Sequence, residues 1–336
     1  MSLTTIVSSR NSYFDFLRGL AICMVVAIHT GPTYSFEGSL WSTLEVFTRL
    51  TLNVAVPTFL AISGFFLAKK SLYTTTERLS FWKKQIPKVY IPCLIWSLPL
   101  FALSIYNSTL NNLPIQIFKL LFCGFSVYYF VALIIQYYLL LPWLQPFKIK
   151  IVVIAGIMST ISILSITYLT KILDIGSLPL IVYAGPFPIW IVFFVMGGIL
   201  RRVSRNYKLT VPLCLFLISF VLQYFEGLYI SKLGGSGVGM KLSSFIYSAA
   251  FILIIFSKKL ETKYNPYNRL NNIIEKIGNI SFGIYLIHCY FIILFNKVIP
   301  YHYWVTDFLL VLLFTSIPIL IARRIAPSFS KKYLGF

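Results

Sequence analysis

The chain has 336 residues, of which 58% are hydrophobic and only 11% charged, and its mean hydropathy is +0.83. A soluble globular chain carries about 25% charged residues, so this composition excludes a soluble domain and predicts a multi-pass membrane protein with room for roughly ten spans. The net charge of +20 would suit nucleic acid, but the Lys and Arg residues fall in short separate loops, with no basic stripe and no aromatic stacking motif, which excludes that partner.

The first apolar run, Tyr13–Tyr34, carries Asp15 and Arg18 at one end and His29 near the other. Arg18 and His29 are eleven residues apart, almost three helical turns, so both point from one face about 16 Å apart along the axis. Ionisable residues inside a membrane are costly and mark function by default. Taken alone, Arg18 also reads as a side chain that snorkels to the interface, and His29 as one lying near the opposite headgroups. No small-residue cleavage pattern follows, so the run reads as a retained span rather than a signal peptide. The second run, Pro57–Phe66, contains Ala61, Ser63 and Gly64, small residues that let another helix approach. Residues 82–92, WKKQIPKVYIP, set Lys83, Lys84 and Lys88 just before the third run. Membrane topology alone puts lysines there, and a cation cluster at a helix mouth is also what a polyanion needs.

The apolar segments predict spans near 13–31, 46–68, 87–105, 124–145, 150–170, 183–200, 209–229, 242–258, 279–297 and 304–323. Counted over alternate loops, 23 of the 29 Lys and Arg residues fall on one side, which predicts that both termini are cytoplasmic. Arg49 falls with the six on the other side. Residues 106–123 read as an outer loop with an interfacial helix at Pro114–Phe122. The sequon Asn107-Ser108-Thr109 reads as chance, and the glycines of 234–239 as a flexible external loop. The five cysteines sit singly in apolar segments, without metal or disulfide spacing. Glu226 ends the seventh span on the outer side, where it reads either as an exposed helix-end carboxylate or as a group that orients or recharges His29. His288 falls at mid-span, as a satisfied buried histidine or as part of a site.

The string D-x-x-R-G-L-A-I at Asp15–Ile22, with a histidine eleven residues after the arginine, resembles the signature of the acyltransferase 3 family. So, in order, do Ser63-Gly64-Phe65, Tyr128–Tyr137, Phe193–Gly198 and the string S-x-G-I-Y-L-x-H at Ser281–His288. Family members usually show an R-x-x-R pair before the third span, where this chain has Gln85 and Lys88. Lysine binds phosphate as a point charge, without the arginine fork.

The resemblance implies a single all-α membrane domain over residues 1–336, ten helices in a bacterial cytoplasmic (inner) membrane, with no soluble domain. It implies a membrane O-acyltransferase, an O-acetyltransferase above all, that modifies a surface polysaccharide. The acyl group would pass from cytoplasmic acyl-CoA, with acetyl-CoA as donor substrate rather than tightly bound cofactor, to a hydroxyl of a cell-surface glycan or its lipid-linked precursor. Arg18, Lys83, Lys84 and Lys88 would hold the donor, and Ser63 and Gly64 would line its path. His29 would act as base or acyl carrier, with Glu226 and His288 as further candidates for the site. The partners are then acyl-CoA, the glycan acceptor and membrane lipids. Two other readings stay open: a transporter or exporter of an acyl donor or glycan, and a structural partner in glycan assembly.

Overall fold

The computed structural model describes residues 11–32, 34, 36, 38–106, 112–173, 175 and 178–336. It is 80% helical, with no strand among the described residues. Arg10 and the sequon at Asn107–Thr109 fall outside the described residues. Among those described, nine helical segments are long and apolar enough to cross a membrane: 12–30, 40–67, 75–106, 126–144, 149–172, 180–200, 210–232, 281–298 and 304–325. They match nine of the ten runs read from hydropathy, in order. The remaining one is the apolar helix Leu242–Ile255, of 14 residues.

The first segment, α1 (Ser12–Thr30), starts at Asn11, whose side chain accepts from the Tyr13 backbone N–H. The second is broken. Helix α2 (Leu40–Thr51) meets α3 (Ala55–Leu67) through a single 3₁₀ turn at Leu52–Val54. Helix α4 (Thr75–Tyr106) begins a dozen residues before the predicted span. Its start is a capping box: Glu77 N–H donates to Thr74 Oγ1, and Glu77 Oε2 accepts from the Thr74 N–H. The loop that follows carries α5 (Leu113–Leu121), an exposed helix close to the interfacial one predicted. Then come α6 (Tyr129–Leu144), α7 (Ile149–Leu164), α8 (Leu180–Ala184) and α9 (Phe187–Leu200). Further on lie α10 (Thr210–Lys232), α11 (Leu242–Ile255), α12 (Arg269–Asn279), α13 (Ser281–Val298) and α14 (Trp304–Ile325).

The core is organised by α1, α3, α9 and α13. Helices α3 and α9 cross where a Cβ at Gly64 would overlap the Phe194 carbonyl oxygen and one at Gly197 would overlap that of Ala61. This is the close approach that small residues permit between membrane helices. Gly64 therefore packs α3 against α9, while Ser63 bonds back to the Phe59 carbonyl at 2.9 Å, and neither residue lines the long cavity. Helix α12 was not apparent in the sequence pattern. It packs on the start of α1 by the same device, with Gly278 against the Asp15 carbonyl and Gly19 against that of Ile274.

The glycine-rich segment 234–239 is tied down rather than free. The buried Lys241 ammonium donates to the Gly237 carbonyl at 2.7 Å, and Asn53 Nδ2 donates to that of Val238 at 3.1 Å. Gly237 has φ +65° and lies against the backbone of Gly227, a conformation and an approach that a side chain would obstruct.

Candidate functional site

A cavity of about 370 Å³ runs along α1 and is lined on that helix by Arg18, Val25, Ile28 and His29. Since Arg18 and His29 are three turns apart on one face, the cavity reaches about 16 Å along the axis. Its walls carry aromatic rings from five elements, among them Phe59, Tyr129, Tyr183, Trp190 and Tyr285. Its polar groups are concentrated at the two ends: Arg18 at one, and His29, Arg49 and Asn53 at the other. An apolar channel with charged ends suits an extended, amphipathic ligand better than a compact one.

Arg18 is held by Asp15, one helical turn before it, through an Nη1–Oδ1 contact of 2.5 Å; the Asp15 side chain is 1% exposed and that of Arg18 31%. The guanidinium also lies 5.1 Å from the Phe66 ring centroid. A buried carboxylate on one side and a ring on the other fix the planar fork at the cavity mouth.

At the opposite end, the His29 ring centroid is 5.4 Å from that of His288. His288 is fully buried, and its Nδ1 lies 2.7 Å from the Tyr285 carbonyl and 3.1 Å from that of Ile284. A carbonyl only accepts, so Nδ1 carries the hydrogen. His288 thus stands behind His29 as a satisfied packing partner and lines no part of the cavity. Arg49, counted in the sequence as a loop charge, stands at the same end of the cavity. Its Nη1 donates to Asn53 Oδ1 at 2.8 Å, and Asn53 Nδ2 donates in turn to Gln223 Oε1 at 2.9 Å. The only signal that marked Arg49 was a charge just inside an apolar run.

A second cavity, of about 420 Å³, opens on the other side of His29, towards the first turn of α14. His29 is the one residue common to the linings of both cavities among the described residues.

The other candidates lie elsewhere. Lys83, Lys84 and Lys88 are exposed on the flank of α4, Lys88 donates to Gln85 Oε1 at 3.3 Å, and none lines the cavity that holds Arg18. Glu226 is not brought to His29. Its carboxylate accepts from the backbone N–H groups of Leu242 and Ser243 at 3.1 and 2.8 Å, and from the Tyr168 hydroxyl at 2.7 Å. These bonds cap the N-terminus of α11, where a negative charge is stabilised.

The family model for an acyltransferase domain, acyltransferase 3, matches residues 11–323. Two relatives from Enterococcus faecalis, both named amino-acid racemase, are 28% identical over 219 residues and 34% identical over 153 residues. The matched parts cover 59% and 43% of this chain but 29% and 21% of theirs, so the chain spans less than a third of either relative. No solved structure matched the chain.

Proposed function

Because the chain belongs to the acyltransferase 3 family, we propose that it moves an acyl group, acetyl above all, from cytoplasmic acyl-CoA to a hydroxyl of a cell-surface glycan or its lipid-linked precursor. The observation that carries this reading is the single cavity bounded by Arg18 at one end and by His29 and Arg49 at the other. Acyl-CoA is itself long and divided: a phosphate-rich head, a flexible pantetheine arm and a thioester at the tip. In this reading the head stays at the cytoplasmic end against the Arg18 fork. The arm lies along the aromatic walls, and the thioester reaches the level of His29. The lysines of α4 are outside the cavity, which leaves Arg18 as the cation for the donor's phosphates.

His29 then serves as base for the acceptor hydroxyl or takes the acyl group covalently. Either route passes through a tetrahedral intermediate with a developing oxyanion. Arg49, held by Asn53 beside His29, is the cation available to stabilise it in a site of low dielectric.

The test uses purified protein in lipid nanodiscs with acetyl-CoA. Release of the coenzyme thiol is expected from the wild type, and mass analysis should find fewer acyl groups on the surface glycan of cells that lack the protein. His29→Gln should insert normally and lower acylation by about 10²–10⁴-fold, the range for a lost general base. A well-expressed His29→Gln protein that acylates at near the wild-type rate would remove His29 from the chemistry. A wild type that binds acetyl-CoA but never consumes it would favour a transporter.

A further inference from the structure

The second cavity differs in character from the first. It is lined by His29, Glu45, Asn296, His302, Trp304 and Asp307, among others. Two of the chain's nine carboxylates line it, and no Lys or Arg does so among the described residues. It lies at the same end of α1 as His29, and Trp304 Nε1 fastens the first turn of α14 to α1 by donating to the Ala27 carbonyl at 2.9 Å.

His302 and Asp307 form a pair within it. His302 Nδ1 lies 3.1 Å from Asp307 Oδ2. Asp307 belongs to the first turn of α14, where its backbone N–H donates to the Tyr303 carbonyl at 2.9 Å, and its side chain is 12% exposed against 38% for His302. An ionised carboxylate only accepts, so Nδ1 carries the hydrogen and, in the neutral ring, the lone pair is on Nε2. A buried carboxylate that fixes the tautomer of a more exposed imidazole is the arrangement of a general base and its orienting group.

We propose that this cavity is the acceptor site, that it takes an uncharged or amino-substituted sugar, and that His302 removes the proton of the acceptor hydroxyl, with Asp307 as its positioning residue. The inference rests on the transferase reading and deepens it. Two carboxylates without a compensating cation repel an anionic acceptor in a site of reduced dielectric. An indole face, an amide and hydroxyl-accepting carboxylates suit a sugar ring.

With a base on the acceptor side, His29 carries the acyl group between the cavities. In the first step an unprotonated ring nitrogen of His29 attacks the thioester carbonyl. A C–N bond forms and the C–S bond breaks. The leaving thiolate takes the proton lost from the other ring nitrogen, which leaves free coenzyme A and an acyl-imidazole. In the second step the acceptor oxygen attacks the acyl carbon. A C–O bond forms and the C–N bond breaks. The hydroxyl proton passes to His302 and from it to the imidazole of His29, which restores the starting state.

The experiment gives nanodisc-embedded protein acetyl-CoA labelled in the acetyl group, and also counts base-labile acetyl groups on intact cells. His302→Gln and Asp307→Asn should acquire protein-bound, hydroxylamine-labile label as the wild type does. Cells carrying either variant should lose surface acetylation by about 10²–10⁴-fold, with partial recovery in Asp307→Glu. A merely structural role would not spare one half-reaction and abolish the other. His29→Gln should take no label. Among soluble probes, N-acetylglucosamine and glucosamine should discharge the label and glucuronate should not. Near-normal surface acetylation in His302→Gln overturns the base assignment, and so does a folded His302→Gln protein that takes no label. Discharge by glucuronate, or by none of the three sugars, overturns the acceptor class. A wild type that neither releases coenzyme nor takes label removes the transferase reading itself, an outcome distinct from all the others.

Discussion

Glu226 separates two accounts of the His29 end of the bundle. As a chemical partner of His29 its loss would abolish transfer; as the cap of α11 its loss would loosen a helix. Glu226→Ala removes the acceptor for two backbone N–H groups and one hydroxyl. Hydrogen bonds to a charged group contribute about 1.5–3 kcal/mol each, and an orphaned buried donor costs about 1–3 kcal/mol. With water regaining part of that loss at the helix end, the first turn of α11 should open more easily by about 2–4 kcal/mol. At about 1.4 kcal/mol per tenfold, amides 242 and 243 should exchange with solvent about 30- to 1,000-fold faster. Hydrogen exchange read by mass spectrometry on the nanodisc-embedded protein measures this directly. Glu226→Gln keeps one acceptor oxygen and should fall between. Transfer should drop by no more than about tenfold, because Glu226 lines neither cavity. Unchanged exchange at 242–243 together with loss of transfer beyond about a hundredfold would refute the capping argument and return Glu226 to the chemistry.

Three further outcomes follow from named contacts. Arg18→Lys should weaken acetyl-CoA binding through loss of the planar fork, and Arg18→Ala should weaken it further; equilibrium binding that is unchanged in the alanine variant would take Arg18 out of the donor site. Gly197→Leu forces α3 and α9 apart where they touch backbone to backbone, so the protein should lose thermal stability in detergent by the 1–3 kcal/mol typical of overpacking, or more; an unaltered melting temperature would deny that contact its role. Burial pushes the Glu261 carboxyl up, but the Asn11 hydrogen bond and the charges of Arg205 and Lys258 outweigh it and hold the group below its ordinary 4.5. A depressed carboxylate contributes stability that is present above 4.5 and is lost as the pH falls through the lower folded value. The melting-temperature gap between wild type and Glu261→Gln should therefore be constant from pH 7 to about 5 and close on further acidification; a gap that widens in acid would reverse the sign of the argument.

The spans were legible because a long, almost uncharged apolar run is stable in few surroundings besides a bilayer. The Arg18–His29 face was legible because helical periodicity is regular enough to project eleven residues. What hydropathy cannot express is where a helix breaks. A 3₁₀ turn at Leu52–Val54 interrupts the second segment, and Arg49, which the loop count treated as an outside charge although it falls within the predicted span 46–68, lines the cavity beside His29. The surroundings of Glu226 and Gly64 were hidden for a related reason. Each sits in a motif or at a level consistent with chemistry, yet the partner that claims it comes from a distant helix: the N-terminus of α11 for one, the backbone of α9 for the other. His302 and Asp307 are five residues apart across the start of α14; nothing in one sequence marks such a pair until the helix boundary is known.

Helix α11 has 14 residues, about 21 Å of rise, against a hydrocarbon thickness of about 30 Å. The missing length is made up by the irregular chain before it, whose backbone is satisfied by Asn53 and Lys241 rather than by lipid headgroups. Irregular backbone is tolerated at membrane depth only where protein or a water-filled space surrounds it. That irregular chain ends at Gly239 and Met240, which themselves line the long cavity. Where α11 meets the loop before it, the bundle itself therefore supplies the polar partners of the backbone.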